Sequence, residues 1–277
     1  MRALFGLVIG LGVAATAAAQ DKLRTLETLD ESRAWAAVGR LDLDGKGFCT
    51  GSLVAPDLVL TAAHCLYDKD TSEPIPAQKI QFRAGWRNGS AMAFRDVRRV
   101  VQHPKYEYDE ALAAMRVAND VAFLQLQRPI RSGGVRPFRT GTAASRGEIV
   151  GIVSYAAGRS EAPSLQELCK VMEQSREVLV LSCEVDFGAS GAPVFRFDAD
   201  GPRIVSVISA KAELDGERVS VGAPLERNLD VLWETVMAED SQRFTPPPGV
   251  KSISVTRSGT LERGTARQVG GAKFVKP

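Results

Sequence analysis

Three side chains spread along this 277-residue chain could together activate a hydroxyl for attack on a carbonyl. His64 follows Leu60-Thr61-Ala62-Ala63 and precedes Cys65. Asp120 opens the run Asp120-Val121-Ala122-Phe123-Leu124, and Ser190 sits inside Gly188-Ala189-Ser190-Gly191-Ala192-Pro193. A serine hydroxyl is a poor nucleophile at neutral pH and needs a base to take its proton. A neutral imidazole does that work, and a buried carboxylate fixes its tautomer and stabilises the imidazolium that forms. Each residue also has a plainer reading. His64 could be a packed structural histidine, Asp120 could cap its own turn, and the Ser190 segment could be a tight glycine loop. The chain's other histidine, His103, precedes Pro104 in a charged stretch and reads as a surface residue. Asp96 and Asp109 lack the setting of Asp120.

The elements around these residues are short apolar stretches between Gly, Pro, Asp and Asn clusters. Residues 36–43, 51–54, 58–61, 80–84, 121–126, 149–154, 177–182, 193–197 and 204–210 read as strands. So many strands with so few helical patterns predict an all-β barrel or sandwich. One helix is expected, because Leu229, Leu232, Trp233, Val236 and Met237 recur at helical spacing. Residues 111–116 suit a short helical insert, being rich in Ala, Leu and Met. After the C-terminal helix, Thr245-Pro246-Pro247-Pro248-Gly249 breaks the pattern. Residues 243–277 carry seven basic residues against one acid and read as a disordered basic tail, with Ser252–Val255 as one possible added strand.

Residues 1–19 read as a secretory signal peptide. Arg2 supplies the positive start, Leu4–Val13 the apolar run, and Ala17-Ala18-Ala19 the small-residue cleavage site. The rival is a membrane anchor, for which the apolar run is too short. The protein is therefore expected outside the cytoplasm, in a periplasm or the medium. The body after the leader, residues 20–242, is mildly acidic and offers no nucleic-acid surface. The four cysteines, Cys49, Cys65, Cys169 and Cys183, favour disulfides in an exported chain, and sequence alone permits three pairings. A zinc site built from Cys and His64 is the alternative, but the cysteines show no metal-binding spacing.

Taken together, Cys49-Thr50-Gly51-Ser52-Leu53-Val54, Leu58–Cys65, Asn119-Asp120-Val121-Ala122 and Gly188–Pro193 resemble the chymotrypsin/trypsin-like serine peptidases, in particular the small secreted bacterial ones. The resemblance covers roughly residues 33–238. The order His, Asp, Ser separates it from subtilisin-like chains and from α/β-hydrolases. It implies two six-stranded antiparallel β-barrels with a C-terminal helix, and a serine endopeptidase that works without metal or cofactor. A polypeptide would be its substrate, with no nucleic acid or membrane anchor involved, and the molecule would be a monomer. His64, Asp120 and Ser190 would be catalytic, with the Gly188 and Ser190 N–H groups as the oxyanion hole. Ser209 would hydrogen-bond Asp120 and border the substrate backbone, with Ser206 as runner-up. The resemblance also selects the disulfide Cys49–Cys65, which leaves Cys169–Cys183.

Two departures from the family pattern matter. Ala189 replaces the aspartate that pairs with a freshly cut N-terminus, and the usual activation sequence is missing. The oxyanion turn must then be held by packing. Glu184, six residues before Ser190, occupies the family's pocket floor and would favour Lys or Arg in substrate. Lys211, where the family has glycine at the pocket wall, could instead neutralise Glu184 or fill the pocket. A catalytically silent binding protein on the same scaffold is the rival class.

Overall fold

The computed structural model describes residues 23–108 and 113–243. The expected signal peptide, the tail beyond Arg243 and Asp109 lie outside them. A two-residue strand β1 (Arg24–Thr25) and a short helix α1 (Leu29–Arg33) come first. Thr28 and Glu31 form a reciprocal cap on α1, each side chain meeting the other's backbone N–H.

The first barrel follows: β2 (Val38–Leu43), β3 (Gly47–Ala55), β4 (Leu58–Thr61), β5 (Ile80–Ala84), β6 (Ala93–Gln102) and β7 (Ala122–Leu126). The strands close in the order β2-β3-β4-β7-β6-β5, antiparallel throughout. Closure leaves no unpaired edge. A short helix α2 (Ala113–Ala118) is inserted between β6 and β7, ending two residues later than the expected insert.

Next come β8 (Arg139–Thr140), β9 (Ile149–Ala156), β10 (Arg159–Gln174), β11 (Leu179–Leu181), β12 (Pro193–Asp198), β13 (Gly201–Leu214) and β14 (Glu217–Pro224). Six of these close a second barrel, β9-β10-β11-β14-β13-β12, since β9 pairs with both β10 and β12. The strand β1 adds to β10, and β8 pairs with β13 in parallel. The helix α3 (Glu226–Arg243) closes the described chain. Two six-stranded antiparallel barrels and a terminal helix are the expected trypsin-like architecture.

The residues of β7 are all buried, which fits a strand covered on both faces. One face fills the first barrel. On the other, Phe123 meets Trp233 of α3 at 5.1 Å between ring centroids. Leu229, Leu232 and Val236 of α3 are buried as the helical spacing implied, but Met237 is 59% exposed, at the edge of that stripe. The seam between the barrels is aromatic. Trp35, just before β2, packs on Phe195 of β12 at 5.0 Å, and Phe138 packs on Phe195 at 4.7 Å.

Both disulfides form, Cys49–Cys65 and Cys169–Cys183, closing separations of 16 and 14 residues. His103 corrects the surface reading. It is buried, its N–H donates to Val121 O, and burial together with Lys105 lowers its pKa.

Because Phe195 is fully buried where the barrels meet, Phe195→Ala is expected to cost about 3–5 kcal/mol. Urea unfolding measures this, and a loss under about 1 kcal/mol would show that the seam carries little of the stability.

Candidate active site

Each expected site residue is placed by a different local device. The strand β4 ends at Thr61, and Ala63–Leu66 form a tight 3-10 turn that turns His64 out of the first barrel. The small residues Ala62 and Ala63 are fully buried, so the turn sits close to its neighbours. Cys65 ties the same turn back to Cys49 on β3. Asp120 stands between α2 and β7, where its N–H donates to Val117 O. Asn228 of α3 braces this corner by donating to Ala118 O at 2.7 Å.

Asp120 is wholly buried. Its Oδ1 accepts from the His64 backbone N–H at 2.8 Å, and its Oδ2 lies 2.6 Å from His64 Nδ1. Ser209 Oγ also donates to Oδ2. Burial pushes the Asp120 carboxyl up. The facing His64 charge and the hydrogen bonds from His64 and Ser209 outweigh that, and the pKa ends below its ordinary value. An ionised Asp120 makes Nδ1 the donor, so in the neutral imidazole Nε2 is left as an acceptor.

Ser209 reaches Asp120 because the β13–β14 register shifts between Ile208 and Ala210. That bulge re-aims one side chain out of the ladder. Ser206, the runner-up, donates to Ala223 O at 2.7 Å instead.

Ser190 lies in the turn between β11 and β12. Two glycines make the turn possible. Gly188 has φ +95°, and a Cβ there would meet the Phe48 ring at 2.2 Å. Gly191 has φ +78°, and a Cβ there would meet Thr61 Oγ1 at 2.1 Å and Thr50 O at 2.2 Å. Neither conformation nor space admits a side chain. Ala189 is fully buried. Among the described residues, neither the Gly188 N–H nor the Ser190 N–H donates to a protein acceptor. The two donors expected at an oxyanion hole are thus unspent.

Ser190, His64 and Ser209 line one cleft of about 320 Å³ together with Lys211, Asp186, Phe187 and Ile208. No Ser190–His64 hydrogen bond is formed among the described residues, and such contacts commonly tighten only when substrate binds.

Glu184 departs from its expected place. It is exposed and lines an adjoining cleft, not the one holding Ser190. Arg159 lines that second cleft too. Burial lowers the Arg159 pKa to about 10, against the pull of Asp186 and Glu184, and its guanidinium is fixed on Ser154. Lys211 does border the Ser190 cleft, but its Nζ pairs with Asp186 Oδ1 at 3.2 Å, not with Glu184, and lies 4.1 Å from the Phe187 ring centre. The sequence reading missed Phe187, Arg159 and Thr50. Phe187 and Arg159 have no motif of their own, and Thr50 was passed over as part of the Cys49-Thr50-Gly51 run.

The zinc alternative loses its donors. Cys49, His64 and Cys65 cluster, but both sulfurs are spent in one disulfide and Nδ1 faces Asp120. No helix among the described residues is long and apolar enough to cross a membrane.

With that geometry in place, comparison with known proteins defines the class. The family model described as Trypsin matches residues 27–180, so the chain belongs to the trypsin family. The match includes His64 and Asp120 and ends before Ser190. Trypsin epsilon of Drosophila erecta is 31% identical over 109 residues, 37% of this chain and 40% of that protein. Serine protease SP24D of Anopheles gambiae is 37% identical over 105 residues, 37% of this chain and 35% of that one. The chain thus aligns with less than half the length of these relatives. A solved structure titled "Structure of Glu endopeptidase in complex with MPD" superposes with a TM-score of 0.62 at 16% identity. The superposition covers 78% of this chain and 97% of the other, and it shows the shared fold.

The depressed Asp120 carboxyl has a pH signature. A carboxyl held below its unfolded value of about 3.9 stabilises the fold above that pH, and the gain is lost as pH falls through the folded value. The stability gap between wild type and Asp120→Asn is therefore expected to narrow as pH falls below about 4. Denaturant melts across pH check this, and a gap that widens on acidification would contradict a depressed carboxyl.

Proposed function

We propose that the protein is an exported serine endopeptidase that cleaves polypeptides through an acyl-enzyme on Ser190. The observation that carries the reading is the buried Asp120 carboxylate bound to His64 and Ser209, in one cleft with Ser190. In this reading Ser190 Oγ attacks the substrate carbonyl and His64 Nε2 takes its proton. Asp120 holds the imidazole and balances its charge. The Gly188 and Ser190 N–H groups receive the oxyanion. His64 then returns the proton to the leaving amine, and water repeats the sequence to release the acyl group. The chain would act as a monomer and need no cofactor. Residues 20–242 would form the working domain after export, with residues 1–19 removed and the basic tail from residue 243 outside it. The likeness to small secreted bacterial members belongs to the same reading.

Substrate choice follows from the cleft. Glu184 lies in the adjoining cleft, and Asp186, the carboxylate lining the Ser190 cleft, is paired with Lys211. The basic preference implied by Glu184 therefore lacks a free carboxylate beside Ser190. Val185, Ile208 and Ala210 offer apolar walls. The favoured residue before the cleaved bond is small or apolar.

Wild type is expected to label at Ser190 with a fluorophosphonate and to hydrolyse a mixed peptide library. Ser190→Ala should lose both while keeping its fold, with less than about a thousandth of the activity left. An unreactive Ser190 in folded protein would favour the silent binding protein. In the library, Lys211→Gly is expected to free Asp186 and shift cleavage towards Lys and Arg. An unchanged profile would remove Lys211 and Asp186 from specificity.

A further inference from the structure

The oxyanion turn lacks a charged anchor, because Ala189 stands in its centre, and yet its backbone is pinned on both sides. Thr50 of β3 is fully buried and belongs to the first barrel. Its hydroxyl donates to Gly188 O at 2.9 Å and accepts from the Tyr155 N–H at 3.0 Å. Tyr155 O lies farther away, at 3.4 Å, so the single hydroxyl proton goes to Gly188. The Thr50 N–H donates to Ser190 O at 2.9 Å. Thr50 O in turn accepts from Thr61 Oγ1 at 2.9 Å, just before the His64 turn. One strand residue therefore holds carbonyls at both ends of the Gly188–Ser190 turn. On the preceding peptide, Phe187 O accepts from the Ala157 N–H at 2.7 Å.

From these contacts we infer that the Thr50 hydroxyl is the latch that keeps the oxyanion turn in its working conformation, making Thr50 a positioning residue. The inference rests on the acyl-enzyme reading above. A trans peptide points its N–H opposite its C=O. Holding Phe187 O on Ala157 therefore turns the Gly188 N–H away from the β9–β10 hairpin. Holding Gly188 O on Thr50 fixes the next peptide plane. A glycine at φ +95° can turn these planes at little steric cost, and a turned plane would set a carbonyl where a donor is needed. Hydrogen bonds from buried partners with no water to replace them resist that rotation. A backbone N–H alone could pin only Ser190 O, and the hydroxyl adds the second point.

The test compares Thr50→Val, which keeps the shape and deletes the hydroxyl, with Thr50→Ser, which keeps the hydroxyl. In active-site-titrated full-length enzyme, Thr50→Val is expected to lower kcat by about 10–100-fold with KM changed less than about 3-fold. Affinity for a peptidyl trifluoromethyl ketone, whose adduct places an oxyanion in the hole, should fall in parallel with kcat/KM. Binding of the cleaved peptide product should stay the same. Thr50→Ser should recover most of kcat. Wild-type kcat in folded Thr50→Val, or a Thr50→Ser as slow as Thr50→Val, would overturn the latch. If Thr50→Val does not fold, Thr50→Ala deletes the same donor without added bulk and is judged by the same criteria. A wild-type Ser190 inert to fluorophosphonate would instead overturn the peptidase reading itself.

Discussion

The structure turns on one carboxylate with no access to water. An isolated buried charge is costly, and it persists only when several hydrogen bonds meet it. Asp120 has these from both barrels. His64 provides its ring and its backbone N–H from the first barrel, and Ser209 provides a hydroxyl from the second. The barrels must therefore meet at this point, with the His64 turn, the corner before β7 and the bulge in β13 all in register. Separation of the barrels would expose His64 and strand the Asp120 charge together. The aromatic seam at Trp35, Phe138 and Phe195 and the helix α3 hold the two halves at that spacing.

The same dependence runs the other way. The turn that carries Ser190 belongs to the second barrel, but its mould belongs to the first. Phe48 fills the space that a side chain at Gly188 would need, and Thr50 and Thr61 fill it at Gly191. Arg40 stacks over the Phe48 ring at 4.6 Å. In the proposed acyl-enzyme reading the oxyanion donors must be fixed although Ala189 offers no charge, and residues of β3 and β4 pack against the turn that carries them. Preorganised donors are worth most when they do not have to reorganise as charge develops.

Much of the fold was legible because its strands are short apolar runs between turn residues. The strands that were missed break this pattern for physical reasons. In β6, Arg95 shares the face of buried Ala93 and Val97, and a register shift between Val97 and Arg99 breaks the alternation. The sixteen-residue β10 is polar, contains Pro163, and is interrupted by three register shifts, so it does not read as one strand. The eight-residue β14 opens with Glu217 and Arg218, both exposed. His64, Asp120, Ser190 and Ser209 were singled out through the family resemblance of their local sequences, and the structure brings His64 and Ser209 onto Asp120 with Ser190 in the same cleft. The burial of His103 could not be read from its neighbours Pro104 and Lys105, because the cover comes from elsewhere in the fold.

Glu184 shows where counting along a chain stops being informative. Glu184 lies six positions before Ser190, and only the family resemblance put it at the floor of the same cleft. The segment from Ser182 to Asp186 has no regular structure, however, so spacing gives no direction. Its path is set by Cys183, tied to Cys169, and by Gln166, whose side chain accepts from the Glu184 N–H at 2.9 Å. Both anchors belong to β10, a strand the sequence did not disclose. Asp186 takes the place beside Lys211 instead, and its pKa is lowered by the Phe187 N–H and by Lys211. A carboxylate already satisfied on both counts has little to gain from a basic substrate side chain, whose desolvation it would have to offset. In the proposed peptidase reading, specificity would depend on which acid the irregular segment turns towards the cleft, and the tether to β10 sets that choice.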